Sequence, residues 1–147
     1  MAPHQPLPAT DDDDLAARLR VAIMRVSRRL RVEVGGGTVT AGQYSVLVAL
    51  WHEPRTLGQL AARERVQAPS MTRIAKALEE QGFIQRTSHP DDGRQVLIEI
   101  TAAGRGVVEH VRGERTAWLS RHVADLDEAD RATLCRAAEL LTEMNAR

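Results

Sequence analysis

Ser70, Arg73 and Lys76 lie three residues apart, so they share one face of any helix that contains them. Their hydroxyl, guanidinium and ammonium groups donate hydrogen bonds to phosphate oxygens and to the edges of bases in nucleic acids. The acid Glu80 on this face follows only at the far end. This order suits a helix that enters the major groove of DNA by its N-terminal half. An ordinary solvated helix face is an equally open interpretation of these residues alone.

Residue types used in catalysis and sensing are present, but without the spacing that such chemistry needs. No nucleophile elbow, phosphate loop or paired-carboxylate motif occurs. His52, His110 and His122 have no zinc-like spacing with a third ligand. Cys135 is the one cysteine, and its place on an apolar helical face favours packing over redox sensing. We therefore expect no enzyme, cofactor or metal site, and a redox- or metal-responsive protein is a weaker alternative.

The bulk composition is that of one ordinary globular module. The 147 residues carry a formal net charge of zero, which argues against a protein that coats DNA without regard to sequence. Residues 1–10 contain three prolines and no periodicity, so we expect a disordered tail rather than a signal peptide. No apolar run approaches the roughly 20 residues needed to span a bilayer. We therefore expect a cytoplasmic protein with no membrane partner.

Residues 56–81 predict two short helices joined by a turn. Thr56 and Gln59 have the spacing of a capping box, which begins a helix with its hydroxyl and amide side chains. Pro69 suits the first turn of the next helix, and Gly82 suits the residue after its last turn. The two helices together have the order of a helix-turn-helix.

The residues that follow predict a β-hairpin. Residues 83–87 form one candidate strand, a polar loop follows, and Val96, Ile98 and Ile100 alternate along a second strand. A hairpin beside a helix-turn-helix is a wing that reaches toward DNA. Arg94 lies near the tip, where a guanidinium can enter the minor groove. This second cation favours DNA binding over a merely solvated helix face.

Helices are predicted on both sides of this unit. An apolar stripe of period three to four runs from Leu15 to about position 34, before three glycines. Thr40 and Gln43 begin a further helix that we expect to close at Glu53 and Pro54. Two more helices begin near Thr101 and at Glu128. Their apolar faces exceed what so small a domain can bury, which predicts a homodimer.

The predicted fold is mainly α with a small β-hairpin wing. It divides into a disordered tail (1–10), an N-terminal dimerisation helix (11–38), a winged helix-turn-helix DNA-binding domain (39–101) and C-terminal dimerisation helices (102–147).

Three segments resemble the MarR family of bacterial transcriptional regulators. The segment that looks like the family's recognition helix and first wing strand is MTRIAKALEEQGFIQR. The segment DDGRQVLIEIT resembles the wing signature of the family, with Ile100 in place of the usual leucine. The segment LGQLAARERV resembles the family's helix before the turn. The resemblance extends in element order and length from about Leu15 to Met144.

The resemblance implies a set of DNA-contacting residues. Ser70, Thr72, Arg73 and Lys76 match helix positions that meet bases and phosphates. Arg94 matches the wing arginine that enters the minor groove. Asp92 matches the acid that holds the wing and its arginine in place. Arg86 matches the arginine that closes the first wing strand, where it has a structural or phosphate-binding role. Ala68 and Pro69 replace residues that are often polar in the family, which shifts the expected specificity toward Arg73 and the wing.

The resemblance also implies a homodimer on a pseudo-palindromic operator in double-stranded DNA, acting most often as a repressor. Many members release DNA when a small phenolic or anionic aromatic effector binds between the dimer arm and the winged helix. Helix position places Met24, Arg28, Tyr44 and His52 near such a crevice. The remaining alternative is a winged-helix module used only for protein contacts, which neutralisation of the arginines by neighbouring acids would favour.

Overall fold

The computed structural model describes residues 11–32, 38–88, 92 and 95–146. These residues form six helices and three short strands: α1 (Asp12–Val32), α2 (Ala41–Ala49), β1 (Arg55–Thr56), α3 (Leu57–Glu64), α4 (Ala68–Glu80), β2 (Ile84–Ser88), β3 (Val96–Ile100), α5 (Ala102–Ala124) and α6 (Glu128–Asn145). The predicted tail (1–10), the glycines at 35–37 and Arg94 lie outside the described residues.

Local capping signals begin α2 and α3 where the sequence predicts. The hydroxyl groups of Thr40 and Thr56 each accept a hydrogen bond from the backbone N–H three residues on. The side-chain Oε1 atoms of Gln43 and Gln59 each accept one from the backbone N–H of the cap residue. Each pair satisfies two N–H groups that a helix start otherwise leaves unpaired. Both predicted capping boxes are confirmed.

Helix α2 ends earlier than predicted, at Ala49 instead of at Glu53 and Pro54. Arginine side chains take over the carbonyl groups at this end: Arg55 Nε donates to the Ala49 oxygen at 3.1 Å, and Arg105 Nη1 donates to the Trp51 oxygen at 2.9 Å. The guanidinium carbons of Arg105 and Arg112 also lie 5.0 and 4.7 Å from the centre of the Trp51 ring. Because Arg105 and Arg112 lie on α5, far from α2 in the sequence, the local pattern could not predict the early end.

A third strand, β1, pairs with the wing hairpin, and it was not predicted from the sequence. Strand β3 lies between β2 and β1, and both pairings are antiparallel. Strand β1 is only two residues long, so it shows no alternation to detect, and Thr56 also serves as the cap of α3. The extra strand ties the base of the wing to the start of the helix-turn-helix.

The hydrophobic core lies within residues 46–111 and joins α2, α3, α4, the sheet and the first half of α5. Its largest fully buried side chains include Leu47, Leu60, Met71 and Ile98. By contrast, no described side chain of α1 or α6 is fully buried in the single chain. Cys135 on α6 is exposed, so the predicted packing of this thiol is wrong for the single chain. None of the described helices is both long enough and apolar enough to cross a membrane.

Candidate nucleic-acid interface

Helix α4 presents one face to the core and the other to solvent. Met71, Ala75 and Leu78 are buried, and Ile74 is half-buried. Pro69 lies in the first turn, and Gly82 follows the helix with a φ of 74°, which glycine adopts without steric cost. These residues orient the helix so that Thr72, Arg73 and Lys76 are exposed on its outer side.

Arg73 is the cation best placed to contact a ligand on this face. Its Nη2 lies 3.5 Å from Ser70 Oγ, and the two side chains border a shallow groove against the start of α2. No carboxylate lies within ion-pair distance of Arg73 in the described part of the chain. Thr40 and Gln43 form the other wall of this groove. The sequence indicated only a helix cap at these two residues, so their place beside Ser70 and Arg73 was not predicted.

Thr72 and Lys76 have partial internal partners. Thr72 Oγ1 donates to the Ala68 carbonyl at 3.0 Å, which leaves the hydroxyl oxygen free to accept. Lys76 Nζ lies 3.8 Å from Glu80 Oε1, with the two side chains 72% and 66% exposed. An exposed pair of this kind is worth about 0–1 kcal/mol, so it leaves the ammonium group available to a phosphate.

Arg86 joins the wing to the recognition helix. Its Nε donates to Glu79 Oε2 at 2.9 Å, which connects strand β2 to the last turn of α4. This geometry supports the structural role, one of the two that the family resemblance implies. Asp92 is half-buried, and its backbone oxygen and side chain accept hydrogen bonds from Gln95 at 2.9 and 3.3 Å. The structure therefore describes the acid predicted to hold the wing, while Arg94 stays outside the described residues.

A second candidate site is an apolar groove of about 740 Å³ between α1, α2, α5 and α6, which we call the arm groove. Of the four residues predicted near a ligand crevice, Tyr44 lines it, whereas Met24, Arg28 and His52 do not. All three are exposed elsewhere on the surface. The residues lining the groove include Leu19, Ile23, Val26, Leu30, Tyr44, Ser45, Val48, Arg115, Leu134 and Leu141.

Within the described part of the chain, Arg115 and Arg31 are the two cationic residues in the mostly apolar wall of the arm groove. The guanidinium carbon of Arg115 lies 4.4 Å from the centre of the Tyr44 ring. The Nε of Arg115 is buried and has no hydrogen-bond partner, the one such side-chain atom found among the described residues. A buried donor without a hydrogen-bond partner destabilises the protein. A ligand that places a hydrogen-bond acceptor beside this Nε would remove that cost, which favours its binding. The place of Arg115 in the wall of the arm groove was not predicted, because α5 carries several arginines and their spacing does not show which one faces the groove.

No group of three or more histidine, cysteine, aspartate or glutamate side chains in the described ranges is arranged to hold a metal ion.

Comparison with known proteins identifies the family. A sequence model of the MarR family matches residues 39–96. An HTH-type transcriptional regulator of Mycobacterium tuberculosis is 42% identical over 131 residues, which cover 88% of this chain and 92% of that protein. A crystal structure described as a transcriptional regulator of Pseudomonas aeruginosa superposes with a TM-score of 0.80 at 33% identity, covering 94% of this chain and 98% of that one.

A further similar structure contains nucleic acid. A mutant of MepR from Staphylococcus aureus, bound to an oligodeoxyribonucleotide, superposes with a TM-score of 0.68 over 88% of this chain and 97% of that one, at 17% identity. At this identity the likeness shows the fold alone. The sequence relatives show the function, and they are regulators rather than enzymes. The chain therefore belongs to the MarR family of winged-helix transcriptional regulators, which bind DNA.

Proposed function

We propose that this protein is a homodimeric repressor of its own or neighbouring genes that reads a pseudo-palindromic operator and is released by a small anionic aromatic effector. The observation that carries the DNA-reading role is the exposed outer face of α4, where Ser70 and Arg73 project without a carboxylate partner among the described residues. The MepR mutant, which shares the fold, is bound to an oligodeoxyribonucleotide. Because the target is the chromosome, we place the activity in the cytoplasm.

The alternative of a module used only for protein contacts requires that acids neutralise the interface. Glu79 and Glu80 do pair with Arg86 and Lys76. Both pairs are partly exposed, so water and salt screen them. Arg73 has no such acid in the described part of the chain, and we therefore favour DNA as the partner.

The dimer is supported by where apolar side chains remain exposed. Among the residues that the structure describes, every exposed large hydrophobic residue except Val96 lies in α1, α5 or α6. Ile23 is 45% exposed, Leu134 is 49% exposed and Met144 is 66% exposed. Contiguous apolar surface of this kind marks an interface with another protein. These side chains of α1, α5 and α6 thus form the surface that a second copy would cover.

Replacing Ile23 by glutamate should break the dimer. The side chain lines the arm groove, so the substitution would place a charge in an apolar interface, where desolvation of the carboxylate opposes association. We expect at least a tenfold weaker dimer in sedimentation equilibrium. Arg25→Glu, at an exposed position of α1 outside the groove, is the control. An Ile23→Glu protein that remains as dimeric as the control would show that α1 is not the interface.

We propose that Arg94 of the wing enters the minor groove and that Asp92 holds Arg94 in position. Arg94→Ala should weaken operator binding by about 1–3 kcal/mol because a cation in a narrow minor groove is lost. Fluorescence anisotropy with labelled operator measures the affinity, and sedimentation checks that the dimer is intact. Arg25→Ala is the matched control, since that arginine is exposed on α1. An affinity equal to the control's would remove Arg94 from the interface.

The effector part of the proposal rests on the arm groove. Its volume of about 740 Å³ is within the range of small-molecule sites. Its apolar wall suits an aromatic ring, and the unpartnered Arg115 Nε above Tyr44 suits a carboxylate or phenolate. A ligand there contacts both the arm helices and α2, so its binding would favour one spacing of the two recognition helices over another.

A further inference from the structure

The arm groove and the helix-turn-helix lie on either side of α2, and one side chain of α2 contacts both. Ser45 lines the arm groove together with Tyr44 and Val48. Its Oγ donates a hydrogen bond of 2.6 Å to Oε2 of Glu64. A hydroxyl donating to a carboxylate at this distance is a charge-assisted hydrogen bond, about twice as strong as one between neutral groups. Ser45 therefore joins the wall of the groove to the end of α3.

Glu64 occupies the joint of the helix-turn-helix. It is the last residue of α3, and the next residue, Arg65, turns the chain with a left-handed φ of 54° that non-glycine residues seldom adopt. Gln67 then begins α4 without a side-chain cap. No arginine or lysine pairs with the Glu64 carboxylate in the part of the chain that the structure describes. The Ser45 hydroxyl is thus the group that holds this carboxylate against α2.

We infer that the Ser45–Glu64 hydrogen bond positions the turn before the recognition helix and transmits occupancy of the arm groove to it. The Ser45 hydroxyl has one hydrogen to donate. A carboxylate or phenolate in the groove competes with Glu64 for that hydrogen, and its negative charge repels the Glu64 carboxylate. Loss of the bond frees the carboxylate at the end of α3, and the turn that leads into α4 is then held less firmly. Ser45 and Glu64 are accordingly positioning residues that need not touch DNA.

This inference rests on the proposed function for its effector. The effects of the effector and of the operator on each other's affinity must be equal, because the two binding equilibria are linked. If an anion in the groove lowers affinity for the operator by some factor, the operator lowers affinity for the anion by the same factor. The positioning contact itself requires neither ligand nor DNA, so it can be measured in the free protein.

The first test is hydrogen–deuterium exchange of the full-length protein without DNA or ligand. In Ser45→Ala we expect the backbone amides of residues 65–67 to exchange at least about fivefold faster, because a hydrogen bond to a charged group is lost. Ser27→Ala is the matched control, since Ser27 lines the same groove but lies on α1. Equal exchange at residues 65–67 in the two variants would overturn the positioning role.

The second test measures the transmission with salicylate as the anion. The ratio of operator affinities without and with salicylate should exceed one for the wild type and for the control Arg25→Ala, which lies outside the arm groove. The ratio should fall toward one for Ser45→Ala and Glu64→Gln. A Ser45→Ala protein that keeps the wild-type ratio would overturn transmission through this bond. A wild type that does not respond to salicylate instead counts against the effector in the proposed function, and the exchange test still decides the contact.

Discussion

Replacing Gly104 by alanine is expected to lower the free energy of unfolding by about 3 kcal/mol or more, the upper end of the usual cost of overpacking. A Cβ at this position would lie 2.2 Å from the Phe83 carbonyl oxygen and 2.9 Å from Ile100 Cγ1. The carbonyl cannot easily move away, because it also accepts the Thr101 N–H at 3.0 Å. The start of α5 is therefore held too close to the wing for any side chain. Urea denaturation followed by circular dichroism measures the change.

Gly106→Ala is the matched control for this prediction. It lies two residues further along α5, and a Cβ there would meet no atom within 4 Å. Alanine should stabilise the helix at that position by about 0.5–1 kcal/mol, because glycine loses more conformational freedom on folding. Equal stabilities for the two variants would show that Gly104 does not pack against the Phe83 carbonyl in solution.

Arg73→Ala is expected to reduce affinity for the operator by roughly 5- to 150-fold, equivalent to about 1–3 kcal/mol. The physical reason is the loss of an exposed guanidinium that Ser70 orients and that no acid neutralises within the described residues. Lys76→Ala should cost less, because a single ammonium makes no bidentate contact and already has Glu80 nearby. Fluorescence anisotropy at fixed salt gives each affinity, with Arg25→Ala as the control.

The kind of contact made by Arg73 follows from a panel of operators with single base-pair changes. If Arg73 reads a base, the variant loses preference at one base pair in each half-site. If it binds a phosphate, affinity falls evenly over the panel and the salt dependence becomes shallower. An affinity equal to that of Arg25→Ala on every operator would remove Arg73 from the interface.

The sequence predicted features that depend on neighbours in the chain. The two capping boxes, the proline in the first turn of α4 and Gly82 after its last turn were correct, because each acts within one helical turn. The prediction failed where the partner is distant. The early end of α2 depends on Arg105 from α5. Strand β1 depends on pairing with β3, in which Arg55 lies opposite Ile98, 43 residues further along the chain.

The candidate sites show the same division. The exposed face of α4 could be predicted because helical periodicity separates it from the buried face. The arm groove is formed by four helices, so helix position alone identified Tyr44 and missed Ser45 and Arg115. Met24 and Arg28 lie on α1, which contributes to the groove, and His52 follows the end of α2, yet none of these three side chains lines the groove.

The most direct test of the account is a gel shift of the purified protein against the DNA immediately upstream of its own gene, combined with determination of the mass of the complex. We predict that one dimer binds one palindromic site, that added salt weakens the binding, and that salicylate releases the DNA. Failure to bind that DNA, or any sequence selected from a random pool, would contradict the assignment as an operator-reading repressor.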